Sequence, residues 1–377
     1  VTAAEIVLRK ALVGSDLDSS QWNMVQAGLR NRAFFSSQVA EANILAALRE
    51  KAAEFAERGV DASEFRKQLR RDLEALHYKP KKDEENTIKD LFSKARLDAI
   101  LETNEAQARG WIEHAEGMSA GAFAAFPAQE FLRVENRDRP REDWPQRWAR
   151  AGGRMYGGRM VALKDDPVWQ NLGDAGPFGN PYPPFDWGSG MGVLDVSRSE
   201  AVELGLIDDA ALSAKVDEMR NAPIPDFNAN LEATVAMEDG SPEAARLKGA
   251  FGDQVRFDGN VAHWQGELIR DVLEGSVRSA KLGRGYDGRN LSISHNIFAE
   301  HLGKHFGDKE RDRRNMPLTV GDFELLPAMW RKPDSVAKER NRDHLAFETF
   351  DGGILNLIVD PIKGIVGLWK MKNPKGA

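Results

Sequence analysis

Between Arg133 and Gly205 the chain runs through Arg137-Asp-Arg-Pro-Arg141, tryptophans at 144 and 148, a glycine-rich corner, and then Pro181-Tyr-Pro-Pro-Phe-Asp-Trp-Gly-Ser-Gly-Met191. Proline fixes φ and lacks an N–H, while glycine reaches backbone angles closed to other residues. So dense a mixture cannot form one long helix or one central strand. It predicts an ordered, non-repetitive connection held together by its aromatic side chains. A piece this poor in regular structure needs large apolar residues to stabilise it, so Trp144, Trp148, Trp169 and Trp187 are expected to form its core, with an interface patch as the alternative.

At 377 residues the chain exceeds what one hydrophobic core usually serves, and two or three domains are expected. With no cysteine, disulfides, thiolate metal sites and cysteine nucleophiles are excluded. No apolar stretch of about 18 residues occurs, so no membrane span is expected, and the opening Val1-Thr-Ala-Ala-Glu5 has no basic and apolar leader. Charge is uneven: residues 201–280 carry 15 acidic against 7 basic side chains, and residues 281–377 carry 13 against 17. An acidic middle joined to a basic end suggests modules with different partners.

The resulting expectation is an α+β multidomain chain. Residues 1–125 read as helical: Ala42, Leu45, Leu48, Ala52 and Phe55 share one face, Phe65, Leu69, Leu73 and Leu76 another, and a third helix is expected from about Asn86 towards Trp111. Residues 126–207 read as a compact α+β piece closed by a short helix that Ser197 opens and Gly205 ends. Residues 208–280 read as an acidic helical linker. Residues 281–377 read as a small α+β module: helices over Ser294–Phe306 and Thr319–Arg331, then strands Leu345–Phe350, Ile354–Val359 and Ile365–Met371 joined by turns short enough for an antiparallel meander.

Several motifs in the first 207 residues resemble the Mu F-like family of phage minor head proteins, also called head morphogenesis proteins. They are Asp90-Leu-Phe-Ser-Lys-Ala-Arg-Leu-Asp98, Glu102-Thr-Asn-Glu-Ala-Gln-Ala-Arg-Gly110, Phe126-Pro-Ala-Gln-Glu-Phe-Leu-Arg133, Gly152-Gly-Arg-Met-Tyr-Gly-Gly-Arg-Met-Val-Ala-Leu163, Asp166-Pro-Val-Trp169 and Asp195-Val-Ser-Arg-Ser-Glu-Ala-Val-Glu-Leu-Gly205. Many members carry paired cysteines near the proline-rich corner; this chain has none. The resemblance implies a minor head component acting in capsid assembly near the portal, with portal and capsid proteins as partners, found in the virion and in the host cytoplasm during assembly.

Leu318-Thr-Val-Gly-Asp-Phe-Glu-Leu-Leu-Pro327 and Arg331-Lys-Pro-Asp-Ser335, with the helix-then-meander order, resemble the nuclease-like modules of the barnase, EndoU, colicin E5/D and RelE fold group. Metal-free RNA cleavage needs a base, an acid and cations that hold the developing phosphorane charge. Five of the seven histidines lie after residue 260. His295 and His305 are the candidate acid and base, Arg342 and Lys370 the candidate phosphate clamps. Where that group has Thr or Ser before an aromatic in the last strand, this chain has Gly367-Leu-Trp-Lys370. The alternatives are an RNase toxin that is the main activity, with an immunity protein as a further partner, and an inactive module that binds packaged DNA or RNA.

Other patterns carry bland readings. His301 and His305 are four apart, but the pair lacks the glutamate that a zinc peptidase carries directly after its first histidine and no third ligand is evident, so no metal is expected. Gly283-Arg-Gly-Tyr-Asp-Gly288 matches a dinucleotide fingerprint by letter, yet the preceding Leu268–Lys281 reads helical, so a hinge between modules is expected and no cofactor. Arg133, Arg137, Arg139, Arg141, Arg147, Arg150, Arg154 and Arg159 are interleaved with acids, which favours internal salt bridges over a DNA-facing row.

Overall fold

The computed structural model describes the chain apart from residues 59–61, 138–139, 222–241, 252–253, 259–260, 298–314 and 374–377. Its class is α+β, with a C-terminal antiparallel sheet.

The N-terminal part is built on four helices. Helix α1 (Ala3–Arg9) starts in a capping box between Thr2 and Glu5. Two single-turn helices, α2 (Ser19–Trp22) and α3 (Ala27–Arg30), follow, flanked by two-residue strands β1 (Ala11–Leu12) and β2 (Ala33–Phe34). Then come α4 (Ala42–Arg58), α5 (Ala62–Ala75) and α6 (Lys94–Gly117). The apolar stripes predicted for α4 and α5 meet in one cluster that contains Leu45, Leu48, Phe55, Phe65, Leu69 and Leu73. Helix α6 starts at Lys94, not near Asn86. Asp90 takes the backbone N–H groups of Asn86 and Phe92 into a turn, and Ser93 caps Arg96 instead.

After α7 (Ala120–Ala125), residues 126–207 form an antiparallel sheet of strands β3 (Ala128–Arg133), β4 (Met155–Tyr156), β5 (Arg159–Leu163) and β6 (Met191–Val196), in the order β4-β5-β3-β6. Helices α8 (Trp144–Arg150) and α9 (Pro167–Asp174) pack on it. Phe131 lies at the centre of an aromatic core: Trp144, Trp148, Trp169 and Phe185 have ring centroids 5.3, 5.9, 6.4 and 5.4 Å from it. Trp187 packs on Phe178 instead, at 4.6 Å. Ser197 caps α10 (Arg198–Glu203), and Gly205 leaves it with φ +71°, a left-handed angle that glycine adopts freely.

The region expected as a linker takes part in the packing. After α11 (Asp209–Arg220), the helix Pro242–Phe251 and strands β7 (Val255–Asp258) and β8 (Val261–Trp264) bury Leu247, Phe251 and Trp264 against Trp22 and Leu29. The helix Gln265–Glu274 gives Ile269, Val272 and Leu273 to the C-terminal core. Among the described residues, Asp208, Asp209, Asp217, Glu218 and Glu274 face outward, so an acidic composition here coexists with a core.

In the last part, strands β9 (Ser279–Arg284) and β10 (Asn290–Ser294) pair antiparallel, so Gly283–Gly288 is the end of a hairpin and not a hinge. A strand does precede the glycines, but another follows them, so no helix N-terminus is offered to a phosphate. The helix expected from Thr319 is present, and Thr319 opens it through a capping box with Asp322. The helix divides into Val320–Glu324 and Leu326–Arg331, because Pro327 has no N–H to give to Phe323. The predicted meander is present as β13 (Arg342–Glu348), β14 (Gly353–Asp360) and β15 (Gly364–Lys372). Strands β11 (Asn315–Met316) and β12 (Ser335–Glu339) extend it to five strands in the order β11-β15-β14-β13-β12.

Candidate functional site

The alternation of β13 and β14 puts Leu345, Phe347, Leu355, Leu357 and Val359 on the face packed against the helices. Register places Lys370 opposite Leu355, itself opposite Phe347, so Lys370 points into this core side. It is 2% exposed and its ammonium donates to Asp322 at 2.7 Å and Asp351 at 2.6 Å. Arg342 is one residue out of phase with Asp343 and Leu345, so it belongs to the opposite face, where it pairs with Asp360 at 3.1 Å. Five positions along β13 separate it from Phe347, about 17 Å of strand. The two expected phosphate clamps are therefore on opposite faces, and the buried one is already neutralised by carboxylates.

His295 begins a short helix, His295–Ile297, and its Nδ1 lies 2.9 Å from the carbonyl of Val272. The expected helix Ser294–Phe306 is described only for this turn; His301 and His305 lie outside the described residues. His344 stands on the outer face with Arg342, near Glu339 at 3.7 Å. Among the described residues no cluster of three or more His, Asp or Glu is placed to hold a metal ion, and no helix is long and apolar enough to cross a membrane.

The arginine row is largely internal. Arg159 bridges Glu130 and Glu200 at 2.6 Å each; Arg147 holds Asp143 at 2.8 Å and Asp186 at 2.9 Å; Arg141 also pairs with Asp186, and Arg137 with Glu135. Arg133 donates to the carbonyls of Ser189 and Arg141. Arg150 and Arg154 are exposed, and Arg139 lies outside the described residues.

A groove of about 800 Å³ lies elsewhere, between α6 and the proline-rich corner. Helix α6 buries Leu97, Ile100, Leu101, Asn104, Ala108 and Trp111. The opposite stripe, Ala95, Ala99, Thr103, Ala106 and Gly110, lines the groove at helical spacing. A Cβ on Gly110 would collide with the carbonyl of Pro183, so this glycine lets the corner, with its cis Pro183–Pro184 bond, sit directly on the helix. Tyr182 beside it is half-buried against His114, whose imidazole burial pushes down to about 4, with Lys164 adding to the shift. The far wall is β6, through Met191, Gly192 and Val193.

Of the carboxylates around the groove, Asp98 pairs with Arg66 and Lys94, Glu105 with Arg109, Glu135 with Arg137 and Asp186 with Arg141 and Arg147. Glu102 and Glu113 are exposed and, among the described residues, have no ion-pair partner. Partial burial and then the neighbouring Asp98 raise the Glu102 carboxyl above its ordinary range. The sequence reading did not single out this groove, although the small-residue stripe of α6 was visible at spacings of three and four.

Neither protein-family models, nor curated proteins, nor solved structures gave a match to this chain.

Proposed function

We propose that the chain is a Mu F-like minor head protein, acting in capsid assembly near the portal through protein contacts, with a nuclease-like module at its C-terminal end. One observation supports this most: the residues that carry the resemblance engage one another. Arg159 bridges Glu130 and Glu200, Phe131 packs against Trp169 with ring centroids 6.4 Å apart, and β3 pairs with both β5 and β6, while Asp90 and Ser93 shape the entry to α6 and Gly110 seats the proline-rich corner. Motif residues used in this way specify a shape, as a building component requires.

The ribonuclease reading of residues 281–377 is ranked lower, since Lys370 is tied to Asp322 and Asp351 while Arg342 faces the other way. The direct test is to co-express the chain with portal and coat proteins of a tailed phage that encodes it and to separate assembled shells on a density gradient. Co-migration with shells or portal rings is the expected result. A chain that stays at the top of the gradient while shells assemble overturns the proposal.

A further inference from the structure

The hairpin of β9 and β10 is a two-stranded ribbon whose faces differ in kind. Ala280, Leu282, Leu291 and Ile293 are buried in the C-terminal core, while Ser279, Lys281, Arg284, Asn290 and Ser292 stand exposed on the other face. Register sets Arg284 beside Asn290, Lys281 beside Ser292 and Ser279 beside Ser294, so the outward face is a strip of cations, hydroxyls and one amide. From Arg278 to Ser294 the chain carries four basic residues against one acidic, within a whole of net charge -7. That one acid, Asp287, lies at the tip and pairs with Arg289 at 2.6 Å. Lys281 is exposed and has no ion-pair partner among the described residues.

A groove of about 340 Å³ runs beside the ribbon, between β10 and the turn that joins β14 to β15. Asn290, Ser292 and Ser294 border it on one side and Lys363 on the other. Lys363 is exposed and, among the described residues, also lacks an ion-pair partner. The groove's carboxylate, Asp360, accepts the backbone N–H groups of Ile362 and Lys363 and pairs with Arg342, so its charge is met within the fold.

What the surface lacks selects the partner. Interfaces between proteins centre on apolar and aromatic side chains, whereas those with DNA are polar and cationic. No apolar side chain stands on the outward face of the two strands; the exposed Ile362 belongs to the turn across the groove. The major groove of B-form DNA, about 12 Å wide, admits a two-stranded ribbon with strands about 5 Å apart, while that of A-form RNA is too deep and narrow.

We infer that the ribbon of β9 and β10 binds duplex DNA, lying in the major groove with Lys281 on one phosphate strand and Lys363 holding the other along the flanking groove. The inference does not depend on the assembly proposal, because it requires neither portal nor coat protein and is read on the purified full chain.

The test is fluorescence anisotropy of a labelled duplex of about 20 base pairs, titrated with the full chain between about 50 and 200 mM KCl. Saturable binding that weakens with salt is expected. Each phosphate contact contributes about 0.9 to the slope of log affinity against log salt, so Lys281→Gln with Lys363→Gln should lower that slope by about 2. Lys79→Gln with Lys81→Gln makes the same charge change at exposed positions before α6 and should leave the slope unchanged. Absence of binding at the lowest salt overturns the inference, as do equal effects of the two variant pairs. Tighter binding of an RNA duplex of the same sequence overturns it in favour of A-form RNA. Displacement of the DNA by polyglutamate at equal charge overturns it in favour of an acidic protein segment.

Discussion

Lys370 shows how one side chain's role turns on its surroundings. Its ammonium lies buried between Asp322 and Asp351. Removing one partner of a buried pair leaves an uncompensated charge, so Lys370→Met is expected to cost about 3–5 kcal/mol in urea unfolding. An unchanged midpoint would contradict a structural role for this ammonium. Lys10 is the opposite case. Its ammonium is within 3.2 Å of the amide oxygen of Asn104 and also donates to Gln107, with no carboxylate, and burial pushes it down to about 7. Its folded value therefore lies below an unfolded value of about 10.4, so the unfolded chain binds more protons between those limits and this group's contribution to stability rises with pH across that window. Unfolding midpoints measured from pH 7 to 10 should show wild type gaining stability relative to Lys10→Met; parallel curves would exclude it.

At the level of elements, the contact of α6 with the proline-rich corner can be tested by comparing two glycines. A Cβ at Gly110 meets the Pro183 carbonyl, whereas one at Gly121 in α7 meets nothing within 4 Å. Gly110→Ala is expected to destabilise by about 1–3 kcal/mol through overpacking, and Gly121→Ala to stabilise by up to about 1 kcal/mol through helix propensity. Thermal melts that rank the two variants the other way would show that the corner does not rest on the helix. The faces of α4 and α5 and the meander's order were legible because apolar spacing and turn residues act locally. The start of α6 was not, because Asp90 and Ser93 compete with the helix for backbone donors.

Over the whole molecule, the C-terminal sheet is joined to the N-terminal helices by buried charge. Glu324, with its side chain 1% exposed, forms an ion pair with Arg49 at 2.6 Å and accepts from Arg270, while Arg49 donates to the Lys10 carbonyl and Arg270 to that of Leu8, both at 2.9 Å. Ala46 of α4 lies in the same apolar cluster as the C-terminal strands. Glu324→Ala leaves two guanidiniums without their shared carboxylate, and calorimetry is expected to show a loss of about 3–5 kcal/mol. The exposed Glu339→Ala should stay within about 0.5 kcal/mol of wild type. Equal behaviour of the two would mean that the buried network does not hold the parts together.

Taken alone, the sequence determined the α+β class, the helical start, the tryptophan core and the C-terminal meander, because periodicity, capping and turn chemistry act over a few residues. It indicated internal ion pairs for the arginine row, but of the interleaved acids only Glu135 and Asp143 supply them, and Glu130, Asp186 and Glu200 reach the row through the tertiary structure. Tertiary structure alone decided that Lys370 and Arg342 part to opposite faces, that Leu247, Phe251, Trp264, Ile269 and Val272 fill cores, and that α6 and β6 border one groove. Each of these depends on register or on contacts between residues far apart in the chain, and one position of strand phase is enough to send a side chain from solvent to core.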